Sequence, residues 1–85
     1  MSITVRYFAA VREQLGPFET LSWADTAART VGELRLWLIG RSAAHAAALD
    51  LGKGLRTACN QTLCNAEQAL QDGDEVAFFP PVTGG

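Results

Sequence analysis

Asp72-Gly73-Asp74-Glu75-Val76-Ala77-Phe78-Phe79-Pro80-Pro81-Val82-Thr83-Gly84-Gly85 closes the chain, and the rest of the sequence has to be arranged around the strand it contains. Asp72-Gly73 is a turn signal. Glu75 to Phe79 have strand character, with Val76 and Phe78 on one face and Ala77 and Phe79 on the other. Pro80-Pro81 ends the strand, since neither residue can donate to a ladder, and the pair favours a stiff extended conformation.

Partners for that strand lie upstream. Residues 3 to 8 alternate, with Ile3, Val5 and Tyr7 on one face and Thr4, Arg6 and Phe8 on the other, as a half-buried strand does. Residues 9 to 15 suit a short helical turn ending at Gly16-Pro17, and Phe18 to Trp23 read as a second strand, so a one-sided hairpin opens the fold. After an irregular stretch from Asp25 to Arg29, Thr30-Val31-Gly32-Glu33 has the spacing of a capping box. Val31, Leu34, Trp37 and Leu38 then recur at helical spacing, which makes this the main helix. Ser42 is placed to cap a second, shorter helix over the alanines to Leu51. Gly52-Lys53-Gly54 breaks it, and Leu55 to Cys59 form a strand that turns at Asn60-Gln61 into Thr62 to Cys64, Asn being tolerant of left-handed backbone. The expected fold is an α+β roll, a mixed sheet of four to five strands packed on one main helix, over residues 1–79, with 80–85 as a flexible extended tail.

The chain has 85 residues, 48% hydrophobic and 19% charged, with a formal net charge of −2. A chain this short uses most of its apolar residues in a single core, which leaves little for a second domain or a deep enclosed pocket and points to work with partners. Its charged share is below the roughly 25% usual for soluble domains. The six arginines, at 6, 12, 29, 35, 41 and 56, are scattered and Lys53 is the one lysine, which argues against a phosphate-tracking surface and so against nucleic acid. The start lacks a charged region followed by an apolar one, and no apolar run approaches a membrane span. A cytoplasmic protein is expected.

Enzyme constellations are scarce. His45 lies among alanines with no second histidine nearby and reads as a solvated helix residue rather than a metal ligand or general base. Cys59 and Cys64 cannot complete a zinc site without further ligands and read as buried small apolar residues. Asp72, Asp74 and Glu75 are too few and too close for a calcium loop and read as turn residues. Gly52-Lys53-Gly54 lacks the downstream partners of a phosphate-binding loop. No metal and no permanently bound cofactor is expected.

The tail is different. Gly84 and Gly85 provide thin, unrestricted backbone that can thread a channel any Cβ would block. From Pro80 the extended tail reaches roughly 20 Å, enough to carry a terminal carboxylate into a partner's active site. Phe8, Leu63 and Phe79 fall on outward faces; if the first and last strands are neighbours, they form one apolar patch at the root of the tail, with Arg12 as a polar rim contact. The bland alternatives are a frayed terminus and three unrelated surface hydrophobes.

The closing run from Asp72 to Gly85, together with Tyr7-Phe8-Ala9, Val11-Arg12-Glu13 and Asn60-Gln61-Thr62-Leu63, closely resembles the family of molybdopterin synthase small subunits, ubiquitin-like sulfur carriers. The similarity spans the whole chain in order and length, and its specific residues lie at the two ends and the Asn-Gln-Thr turn. The resemblance implies a β-grasp fold. It also implies that the Gly85 carboxylate is adenylated by an activating enzyme that consumes ATP and is then converted to a thiocarboxylate. The sulfur source would be a donor such as a cysteine desulfurase or rhodanese-like protein. The tail residues Pro80, Pro81, Val82, Thr83 and Gly84 would thread into the large catalytic subunit, in a heterotetramer, and two transfers would build the dithiolene that binds molybdenum. The small subunit on its own would not be an enzyme. A sulfur carrier for another pathway, such as the thiazole of thiamine, a ubiquitin-like modifier joined to lysines through Gly85, and an interaction domain with an inert tail remain as alternatives.

Overall fold

The computed structural model describes residues 1–81. Five strands form one sheet: β1 (Ser2–Tyr7), β2 (Phe18–Ser22), β3 (Arg56–Cys59), β4 (Thr62–Cys64) and β5 (Glu75–Phe79). Three helices join them: α1 (Ala9–Leu15), α2 (Val31–Ile39) and α3 (Ala43–Leu49). The spatial order is β2-β1-β5-β3-β4, with β1 and β5 parallel and the other pairs antiparallel. This is the mixed, helix-covered sheet expected from the strand and helix patterns, with the closing strand at its centre.

Each element has a local cause. Alternation in β1 buries Ile3, Val5 and Tyr7, and β5 adds Val76 and Phe78 to the same face. The rings of Tyr7 and Phe78 stack at 6.4 Å between centroids, as the register that sets these residues opposite each other requires. Burying a side chain of this size contributes about 1.5–3 kcal/mol. From the helical layer Val31, Leu34 and Leu38 of α2, Leu49 of α3 and Val11 of α1 complete the core.

The start of α2 is capped as its spacing predicts, with one change. Thr30 Oγ1 accepts from the Glu33 N–H at 3.2 Å, but Glu33 Oε1 accepts from the N–H of Arg29 at 2.8 Å, one residue before the cap. Thr30 itself bridges to Ala69, which draws the segment before β5 alongside the helix start. Trp37 is half-buried at the flank of the stripe, with the Arg41 guanidinium 5.0 Å over its ring.

Several boundaries differ from the sequence pattern: β1 runs from Ser2 to Tyr7 and β3 begins at Arg56. β2 ends at Ser22, and Trp23–Asp25 form a 3-10 turn. α3 ends at Leu49, because Arg35 on α2 donates to the carbonyls of Leu49 (2.8 Å) and Asp50 (2.7 Å) and so takes the acceptors at the helix end. The helical layer is also broader than a single main helix, since α3 packs against both α1 and α2.

Between β3 and β4, Asn60 and Gln61 both adopt left-handed backbone (φ 51° and 69°), as a two-residue hairpin turn matched to strand twist demands. Asn60 then fixes the entry to β5. Its N–H donates to the Glu75 carbonyl at 2.7 Å, its Oδ1 accepts from the Glu75 N–H at 3.0 Å, and its Nδ2 donates to Asp74 Oδ1 at 2.9 Å. On the other side, Gly73 (φ 94°) donates to the Ser2 carbonyl at 2.8 Å. The closing strand is thus held at its start from both neighbours.

Candidate functional site

Because β5 lies between β1 and β3, the residues that follow it leave from the middle of the sheet. Pro80 is half-buried and Pro81 exposed. The remaining tail positions of the sequence reading, Val82, Thr83, Gly84 and Gly85, lie outside the described residues.

At the root of the tail, Phe8 follows β1 directly and Phe79 ends β5. Their rings meet edge to face at 6.4 Å. Phe8 is 42% exposed, and Ala9 beside it takes a left-handed φ of 53°, a conformation costing about 1 kcal/mol in a residue with a Cβ. That backbone turn directs the chain from β1 into α1 immediately after the phenylalanine. Arg12 is exposed on α1, one helical turn on, its N–H donating to the Phe8 carbonyl at 3.3 Å.

Leu63 is 66% exposed on the edge strand β4. Pairing sets it opposite Ala58, Ala58 opposite Ala77, and Ala77 opposite Arg6. Leu63 therefore shares the outer face with Phe8 and Phe79 but lies two strands from β5, separated by small side chains. Those alanines make the floor of a shallow open basin of about 590 Å³, with Phe8 and Phe79 on one side and Gln61 on another. Arg6 and Glu75 complete its lining. They are ion-paired, Arg6 Nε to Glu75 Oε2 at 2.9 Å. The arginine's guanidinium also lies 6.0 Å from the ring centroid of Phe18, which is itself 56% exposed. The core-forming helix residues all lie against the opposite face of the sheet. The sequence reading places none of Ala58, Ala77, Arg6, Glu75 and Gln61 on a docking surface, although strand alternation already puts Arg6 with Phe8 and Ala77 with Phe79; Glu75, read there as a turn residue, is the first residue of β5.

The histidine requires a correction. His45 is not a solvated helix residue: its side chain is only 17% exposed. Its Nδ1 lies 2.7 Å from Ser42 Oγ and its Nε2 2.9 Å from Glu19 Oε2. A carboxylate only accepts, so Nε2 carries a proton; Nδ1 accepts from the Ser42 hydroxyl when the ring is neutral and donates to it when the ring is charged. Glu19 also accepts from Tyr7 Oη at 2.6 Å and from Arg41 Nη1 at 2.8 Å. Burial by itself raises the Glu19 carboxyl, but hydrogen bonds from Tyr7 and His45 and the charges of His45 and Arg41 outweigh it and leave the group below its ordinary value. This cluster ties β1, β2 and α3 together beneath the helices, on the face opposite the basin.

Cys59 is buried and Cys64 half-buried, both free thiols. Burial, the adjacent Asp74 carboxylate with its hydrogen bond, and Cys64 push the Cys59 thiol up to about 11, which disfavours the thiolate a nucleophile or metal ligand needs. Asp74 serves the turn as expected, accepting from the Gln71 N–H at 2.8 Å as well as from Asn60. No helix among the described residues is long and apolar enough to cross a membrane.

Comparison with known proteins gives this geometry its context. The molybdopterin synthase sulfur carrier subunit of Escherichia coli (strain K12) is 51% identical over 98% of this chain and 99% of its own. SAMP1 from Haloferax volcanii superposes with a TM-score of 0.73 at 27% identity, covering both chains completely. A chain from the complex of subunits 1 and 2 of the molybdopterin-converting factor from Helicobacter pylori does so with a TM-score of 0.65 at 30% identity, again over the whole of both. The architecture is the ubiquitin-like β-grasp. The ThiS family model matches residues 5–85, and the chain belongs to the ThiS family.

Proposed function

We propose that this chain is the sulfur-carrying small subunit of a molybdopterin synthase, with Gly85 as the residue that bears the sulfur. The observation that carries the reading is the position of β5: a strand bonded on both sides, at the centre of the sheet, gives the run from Pro80 to Gly85 a rigid root beside an open apolar basin. The curated relative's name supports the choice of pathway.

The chemistry follows from what a carboxylate lacks. It is a poor electrophile with no leaving group; attack of the Gly85 carboxylate on the α-phosphorus of ATP, in an activating enzyme, expels pyrophosphate and makes AMP the leaving group of an acyl adenylate. A sulfur donor such as a cysteine desulfurase or a rhodanese-like protein, carrying the sulfur as a cysteine persulfide, then displaces AMP to give an acyl disulfide, and a thiol reductant cleaves its S–S bond to leave the thiocarboxylate. This chain supplies the reactive group and its delivery, and the catalytic pocket belongs to the large subunit, with which it forms a heterotetramer. Gly84, Thr83, Val82, Pro81 and Pro80 thread that pocket, while Phe8, Phe79, Leu63 and Arg12 dock on its surface. Holding the sulfur against a bound pterin precursor turns an encounter into a proximity-assisted step.

The test is intact-mass spectrometry after incubation with the activating enzyme, ATP and a sulfur source. The expected result is a gain equal to sulfur replacing oxygen, localised to Gly85, and sulfur transfer on addition of the large subunit. An unchanged mass under conditions that thiolate the Escherichia coli relative sinks the reading, and a conjugate to lysine through Gly85 points instead to a protein modifier.

A further inference from the structure

We infer that Arg6 is a specificity-determining residue of the docking face, and that the large subunit presents a carboxylate to it. This rests on the proposed function and adds the chemistry of the partner surface.

Arg6 occupies the middle of the face, between Phe18 on β2 and Ala77 on β5. Its Nε donates to Glu75. Among the described residues, no hydrogen bond engages Nη1 or Nη2, and the side chain is 49% exposed. A guanidinium carries four N–H groups on those two nitrogens. A partner that covers Phe8, Phe79 and the alanine floor also covers these donors and strips them of water. Left unmatched, they would weaken the complex; met by a planar acceptor, they give a bidentate contact that fixes the partner's register.

The charge on the face selects the kind of acceptor. Its strand-borne ionisable residues are Arg6, Arg56, which pairs in register with Phe79, and Glu75. Glu75 is already committed to Arg6. The face is therefore net positive on a chain whose formal charge is −2. A carboxylate complements it where a neutral carbonyl would leave the surplus in place.

The experiment measures the affinity of the full-length chain for the large subunit from the same organism, at several salt concentrations. The central variant is Arg6→Leu/Glu75→Gln, which removes both charges and leaves no lone carboxylate behind. The double variant is expected to bind at least tenfold more weakly and to show a shallower salt dependence, with an unchanged thermal unfolding midpoint. Arg6→Lys, which keeps the charge and loses the planar fork, is expected to fall between it and the unaltered protein. If the double variant binds equally well or more tightly while Phe8→Glu weakens binding, the face docks but no acceptor meets Arg6, and the inference is overturned. If Phe8→Glu also leaves affinity unchanged, the docking assignment of this face falls with it.

Discussion

Phe8→Ala isolates the energetic weight of the apolar basin. A phenylalanine presents roughly 200 Å² of surface, and Phe8 keeps 42% of its surface exposed. About 80 Å² is thus available to be covered by a partner, and at about 25 cal/mol per Å² this corresponds to ~2 kcal/mol. The dissociation constant for the large subunit should rise about 30-fold. Part of the ring already contributes to the free protein through its edge-to-face contact with Phe79. Losing that contact costs about 1 kcal/mol, which lowers the unfolding midpoint by about 4–8 °C in a domain of this size. Folding and binding must therefore be measured on the same samples, by circular dichroism and by isothermal titration well below the midpoint. Leu36→Ala is the control, since Leu36 is 54% exposed but belongs to α2, in the helical layer that covers the opposite face of the sheet. If Phe8→Ala binds within twofold of the unaltered protein, or Leu36→Ala weakens binding as much, the basin does not carry the docking energy.

Three further changes probe other parts of the molecule. Glu19→Gln should destabilise the fold by about 2 kcal/mol at neutral pH, because charge-assisted bonds from Tyr7, His45 and Arg41 are lost together. Folding holds the Glu19 carboxyl below its ordinary 4.5, so its contribution is present above that value and disappears as pH falls through the folded one. Melting curves of the two proteins should converge below pH 4.5, and a constant gap down to strong acid would refute the assignment. Gly32→Ala should lower the unfolding midpoint although alanine favours helix by about 1 kcal/mol, since the new Cβ would sit 2.9 Å from Ala66 Cβ and 3.1 Å from its carbonyl oxygen. A higher midpoint would show that the segment yields freely. Gly84→Val should leave stability unchanged while abolishing sulfur transfer in the reconstituted synthase; retained transfer would show that the channel does not need a bare backbone there.

What could be read from sequence was what neighbouring residues dictate. The period-2 runs around Val5 and Val76, the Thr30 cap and the Asn60-Gln61 turn are local matters of sterics and hydrogen bonding, and each is found where its pattern places it. The outward placement of Phe8 and Phe79 was legible for the same reason. His45 was misread because its partner Glu19 is 26 residues away, on a strand whose neighbours no local pattern reveals. The separation of Leu63 from the phenylalanines depends on strand order, which is likewise a property of the assembled sheet. Arg6 went unnoticed because a charged residue on an exposed strand face looks like ordinary solvation until its ion pair and the basin around it are seen.

The parallel pairing of β1 with β5 joins the first strand of the chain to its last. Until Glu75–Phe79 has been synthesised, β1 and β2 on one side and β3 and β4 on the other have no strand between them, and the sheet remains two separate ladders. Contacts of such long sequence separation form late and slowly, so little of this domain can assemble on the ribosome. A chain terminated before Glu75 would lack the central strand as well as Gly84 and Gly85. It would be exposed to proteolysis instead of folding, so that, under the proposed function, the topology helps to remove chains that lack the sulfur-bearing end.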